Sequence, residues 1–176
     1  KKFQNDIIHN ILNGKIHSMG ELQKNTSLLG VDINGSYRVI VFGMTNESMA
    51  RGDFKAKVKD IDVLSDLIRS RISKAKIHND LDKIVVIQEV EREQTQEEYR
   101  RSIKKTAEQV QADVARYNKY LKIKAGAGRV VDGIINLPES FKEANEAFMF
   151  VDVAGETPED GGPQIMLFAD LGIFKL

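Results

Sequence analysis

The chain has 176 residues, 41% hydrophobic and 30% charged, the proportions of one soluble globular domain with a sizeable core. Its 26 basic and 26 acidic side chains cancel, so no global field favours nucleic acid, an anionic membrane or an acidic substrate. The absence of cysteine excludes disulfides, thiolate metal sites and cysteine nucleophiles.

No apolar run nears the roughly 18 residues that span a bilayer, and no signal peptide opens the chain. The expected location is the cytoplasm. A lysine at position 1 and the apolar Ile173-Phe174-Lys175-Leu176 at the other end lead to the expectation of a segment cut from a longer polypeptide.

Phe3, Ile7, Ile8, Ile11 and Leu12 recur at helical spacing and stop at Asn13-Gly14, a C-terminal cap. Ser18 with Glu21 three residues on has the capping-box pattern, and Leu22, Leu28 and Leu29 carry a second helix to Gly30. The two make a helical hairpin over residues 1–30. Tyr37 to Phe42 reads as a buried strand from its β-branched and aromatic content. Asn46 to Asp53 is polar and reads as a loop, after which Phe54, Val58, Ile61, Leu64, Ile68 and Ile72 mark a long amphipathic helix.

Ile77–Asp80 and Lys83–Ile87 then read as two strands around an Asp80-Leu81-Asp82 turn. Tyr99, Ile103, Ala107, Val110, Val114, Tyr117 and Leu121 alternate steps of four and three, the stripe of a helix that packs in the core or on a second copy of the chain. Lys122–Gly128 is a strand whose glycines, Gly126 and Gly128, allow close backbone approach; Pro138 and Ser140 start a helix with Phe141, Ala144, Ala147 and Phe148. Gly155–Gly162 reads as a mobile loop and Gln164–Phe168 as a last strand. Strand, helix, two strands, helix, strand, helix, strand suits an α+β layer with helices over a largely antiparallel sheet. The pattern alone leaves the topology open.

The order of parts from Leu12-Asn13-Gly14 and Leu29-Gly30-Val31-Asp32, through Lys124-Ala125-Gly126-Ala127-Gly128-Arg129 and Pro138-Glu139-Ser140-Phe141, to Asp170-Leu171-Gly172-Ile173-Phe174 resembles a known module. It is similar to the GGDEF-like middle domain of the CdaR/PucR family, the carbohydrate diacid and purine catabolism regulators of bacterial transcription. The resemblance implies a nucleotide-cyclase, ferredoxin-like α+β domain over residues 31–176, with a DNA-binding helix-turn-helix expected beyond residue 176. It further implies a non-catalytic regulatory and dimerisation role that couples an upstream sensor to DNA, with no cofactor. Self-association is the expected partnership, DNA being reached only through the further domain, and no membrane is expected.

A working diguanylate cyclase needs carboxylates to hold divalent metal on the nucleotide phosphates. Where such an enzyme has an acid at the end of the first strand, this chain has Phe42, Gly43 and Met44, and the signature turn is replaced by Asn79-Asp80-Leu81-Asp82-Lys83. Asp80 and Asp82 are the weak metal candidates under the alternative reading, a divergent nucleotide cyclase or a nucleotide- or metabolite-binding module. Their plainer reading is turn formation in solvent. Gly126 and Gly128 lack the third glycine of a dinucleotide fingerprint and read as tight packing. His9, His17 and His78 have no metal-ligand spacing, and no serine sits in a nucleophile elbow. The eight basic residues from Arg51 to Lys76, against four acidic ones, read as the solvated back of the helix, since no aromatic residues interleave them for base stacking.

Overall fold

The computed structural model describes residues 2–50, 54–91, 94–154, 158 and 160–173. Helices α1 (Lys2–Leu12) and α2 (Met19–Leu29) precede strand β1 (Ser36–Met44), a single turn α3 (Asn46–Met49), helix α4 (Phe54–Arg71) and the hairpin of β2 (Ala75–Asp80) and β3 (Lys83–Val90). Helix α5 (Gln96–Tyr117), strands β4 (Ile123–Ala127) and β5 (Val131–Asp132), helix α6 (Leu137–Ala154) and strand β6 (Gln164–Leu167) complete the chain, with 3-10 turns at Ile134–Asn136 and Phe168–Ile173. No described helix is long and apolar enough to cross a membrane.

The capping chemistry is as the sequence requires. Glu21 N–H donates to Ser18 Oγ at 3.1 Å, and Gly30 closes α2 in the left-handed region at φ 69°. The Glu21 carboxylate overshoots the cap residue and accepts instead from the backbone N–H of His17 at 3.3 Å.

The sheet runs β2-β3-β1-β4-β6, with β5 pairing the start of β1. All pairings are antiparallel except β4 with β6, which the α6 crossover makes parallel. The mixed α+β architecture, a mostly antiparallel sheet covered by helices, is therefore that expected from the sequence.

Strand period divides β1 between two cores. Ile40, Phe42 and Met44, with Ile84, Val86, Ile123 and Ala125, meet α4 through Ile61, Leu64 and Ile68 and α5 through Ile103, Ala107, Val110 and Val114. Tyr37, Val39 and Val41, with Val85 and Ile87, meet α1 through Ile7, Ile8 and Ile11, α2 through Leu22 and Leu29, and α6 through Ala144 and Phe148. Helices cover both faces, so all nine β1 residues are buried, and from Val39 to Met44 the strand reads as a continuous apolar run without the alternation of a one-sided sheet.

Several expectations need correction. Asn46–Met49 is a helical turn within the segment read as loop, while residues 51–53 lie outside those described. Leu121 is buried but lies beyond the end of α5, where Asn118 caps the helix; Tyr117 is exposed and donates to Asp60 at 3.1 Å. Of the two readings of the α5 stripe, Tyr99 to Val114 shows packing in the intramolecular core. Phe3, Leu28 and Val58, counted in apolar stripes, are exposed. Phe168 begins a 3-10 turn and does not end β6, and the two-residue β5 was not foreseen. Much of the Gly155–Gly162 loop lies outside the described residues. On the basic run, Lys55, Lys59 and Arg69 are exposed and Arg71 is spent on Asp113 at 2.7 Å.

Candidate functional site

Asp80 and Asp82, the metal candidates of the sequence, lie at the β2–β3 turn, beside the end of β1. The register brings these together here: Phe42 pairs Ile84 on β3, and Gly43 pairs Lys124 on β4. Asp80 and Lys83 close the hairpin, with Leu81 at φ 56° in the turn. A Cβ built on Gly43 would stand 3.5 Å from the carbonyl oxygen of Asp82, so the turn does flank the strand end.

The space above that junction is filled. The same Cβ would lie 2.7 Å from Cζ and 3.1 Å from Cε1 of Phe148, whose side chain descends from α6 and is 5% exposed. Lys124 Nζ lies 4.6 Å and Lys83 Nζ 5.5 Å from the centre of that ring, within cation–π range. Lys124 is itself 5% exposed and donates to Asp152 on α6 at 2.6 Å. An aromatic ring within reach of two ammonium groups thus covers the junction between the end of β1 and the β2–β3 turn.

Glycine is obligatory beneath α6 because the helix rests on the β4 backbone. A Cβ on Gly126 would meet the Phe148 nitrogen at 2.3 Å and the Ala144 carbonyl at 2.6 Å; one on Gly128 would meet the Ser140 carbonyl at 2.1 Å. Close packing, and not phosphate binding, accounts for both. Ser140 Oγ donates to the Arg129 carbonyl at 2.8 Å and accepts from Val39 N–H at 2.9 Å, tying α6 to the sheet.

Asp80 and Asp82 are both exposed. Among the described residues no group of three or more His, Cys, Asp or Glu side chains is placed to hold a metal ion. One relationship was missed in the sequence. His9 on α1 and His78 on β2 have ring centres 6.1 Å apart. Burial lowers the His78 pKa, with His9 adding to the effect and Asp80 opposing it. Nothing in their spacing of 69 positions signals this contact. His17 remains exposed.

A GGDEF-like domain model matches residues 13–149. The chain belongs to the GGDEF-like domain family.

Among solved structures, this GGDEF-like domain is similar to the regulator of polyketide synthase expression from Bifidobacterium adolescentis, at 10% identity and a TM-score of 0.51. The match covers 92% of this chain and 54% of that one, so the domain spans about half the length of that regulator. At that identity the likeness shows the fold. No curated protein sequence matches the chain.

Proposed function

We propose that this GGDEF-like domain is a non-catalytic regulatory and dimerisation module of a CdaR/PucR-type transcriptional regulator, coupling an upstream sensor to a downstream DNA-binding domain. The observation that carries the reading is Phe148 on Gly43. A ring held between Lys83 and Lys124 occupies the junction where phosphoryl chemistry would need metal-bound phosphates. The similarity to a regulator of polyketide synthase expression supports the regulatory half of the proposal. A domain of this kind transmits information through two alternative packings of rigid elements, and bond chemistry is not required.

The test is incubation of the chain with GTP or ATP and magnesium, followed by mass detection of cyclic products, beside analytical ultracentrifugation. No cyclic product and a concentration-dependent dimer are expected. Turnover that disappears in Asp82→Ala would overturn the non-catalytic assignment, and a monomer at high concentration would overturn the dimerisation role.

A further inference from the structure

Strand β2 stands at one end of the sheet order, and among the described residues only β3 pairs with it. The register shows which of its backbone groups are left over. Asp80 and Lys83 close a tight turn, and at the other end of the hairpin Glu89 N–H donates to the Lys74 carbonyl at 3.3 Å. Hydrogen-bonded pairs alternate along an antiparallel ladder, so Lys76, His78 and Asp80 bond inward to β3. The N–H and C=O groups of Ala75, Ile77 and Asn79 point outward, away from the sheet.

A cleft of about 450 Å³ opens at this edge, lined by Ile77 and Asn79, by Gln4 and Asn5 of α1 and by Arg69 of α4. The helices on the two faces therefore leave the edge bare between them. An unpaired edge is a template for another strand, and proteins commonly block one with proline or a bulge. Ala75–Asp80 contains no proline and pairs with β3 without a bulge.

The side chains say which strand fits. Residues alternate between faces along a strand, so Lys76, His78 and Asp80 share the α1 face, where His78 meets His9. Ile77 and Asn79 share the α4 face, where Asn79 Oδ1 accepts from Ser65 at 3.2 Å. Among the described residues neither Lys76 nor Asp80 forms an ion pair. Lys83, opposite Asp80, lies over the Phe148 ring. An antiparallel strand added here needs an acid opposite Lys76 and, four residues before that acid, a base opposite Asp80. The strand β2 carries that pattern itself. Two copies related by a twofold axis at His78 set Ile77 against Asn79 of the second copy, outward backbone to outward backbone, and Lys76 against Asp80 of the second copy on both sides of the axis. Centring on Ile77 also matches the backbone groups but sets Lys76 against His78.

We propose that β2 is the dimerisation edge of this domain, and that β2 of a second copy adds to it antiparallel, in the register centred on His78, to make one continuous sheet. This rests on the dimerisation role proposed for the domain and names its surface.

Analytical ultracentrifugation of the chain and three variants tests it. Asn79→Pro removes an outward N–H and leaves the β3 ladder intact. Lys76→Glu and Asp80→Lys each place like charges opposite one another across the axis. The dimer dissociation constant should rise at least tenfold in every variant. An equimolar mixture of the Lys76→Glu and Asp80→Lys chains should restore the dimer, because each acid then faces a base. Thermal melting checks that the variants fold; should Asn79→Pro unfold, the two charge variants and their mixture decide. A parent chain that stays monomeric at high concentration overturns the dimerisation role and this proposal together. A parent dimer that all three variants leave intact, or that the mixture fails to restore, overturns this proposal alone and places the dimer contact on another surface.

Discussion

The ring of Phe148 sits on Gly43 so closely that a methyl group at position 43 would come within 2.7 Å of it. Each residue therefore fixes what the other can be. Phe148→Ala should cost about 3–5 kcal/mol of stability, the range for removing a buried aromatic side chain, and Gly43→Ala about 1–3 kcal/mol from overpacking. In the double variant the methyl occupies space the ring has left, so the combined loss should be smaller than the sum. Urea denaturation of the four proteins measures this, and strict additivity would show that the two side chains do not share that space.

Gly128→Ala should be among the most damaging single-methyl changes in the chain, because its Cβ would enter the Ser140 backbone at 2.1 Å. Backbone cannot rotate aside as a side chain can, and a loss above about 3 kcal/mol is expected. Gly30→Ala is the contrast. Nothing lies within 4 Å of its Cβ, and only the left-handed φ of 69° opposes it, which costs roughly 1 kcal/mol. Thermal melts that ranked the two variants equally would contradict this assignment.

Gln111 on α5 clamps the entrance to β4. Its Nε2 donates to the Leu121 carbonyl at 2.9 Å and its Oε1 accepts from Ile123 N–H at 2.8 Å, both bonds buried. Gln111→Leu keeps the volume but strands both backbone groups, at about 1–3 kcal/mol each. Hydrogen exchange should accelerate at Ile123 ahead of the remaining β4 amides. An unchanged Ile123 rate would remove the clamp from the account.

His78 should make the fold sensitive to acid. Burial lowers its pKa from the ordinary 6.5, and its buried Nδ1 has no hydrogen-bond partner among the described residues. As pH falls through that ordinary value, the unfolded chain takes up a proton that the folded chain resists, so stability declines until the lowered native pKa is reached. Denaturation midpoints between about pH 7.5 and 5 should fall more steeply in the parent than in His78→Gln. Parallel slopes would place the acid sensitivity elsewhere.

What the sequence made legible was local. Ser18, Gly14 and Gly30 bound the first two helices because capping needs only neighbouring residues. The apolar periods of α4, α5 and β1 reported which faces would be buried. The elements missed were those with too few residues to carry a period: β5, the α3 turn and the two 3-10 turns. Leu121 was misplaced for a related reason, since a helical period can run past a helix end when the next buried residue happens to fall in step.

The site divides in the same way. The lack of an acid at Phe42-Gly43-Met44, and a turn reduced to Asp80-Leu81-Asp82, could be read directly from the chain. That Phe148 packs on Gly43, that His9 meets His78, and that buried Arg38 donates to Gln88 could not. Those contacts join residues 50 to 105 positions apart, and spacing along the chain carries no information about them. Sequence determined the elements, because capping and periodicity act within a few residues; tertiary structure decided the site, because packing density and the pairing of buried charge depend on which faces the sheet brings together.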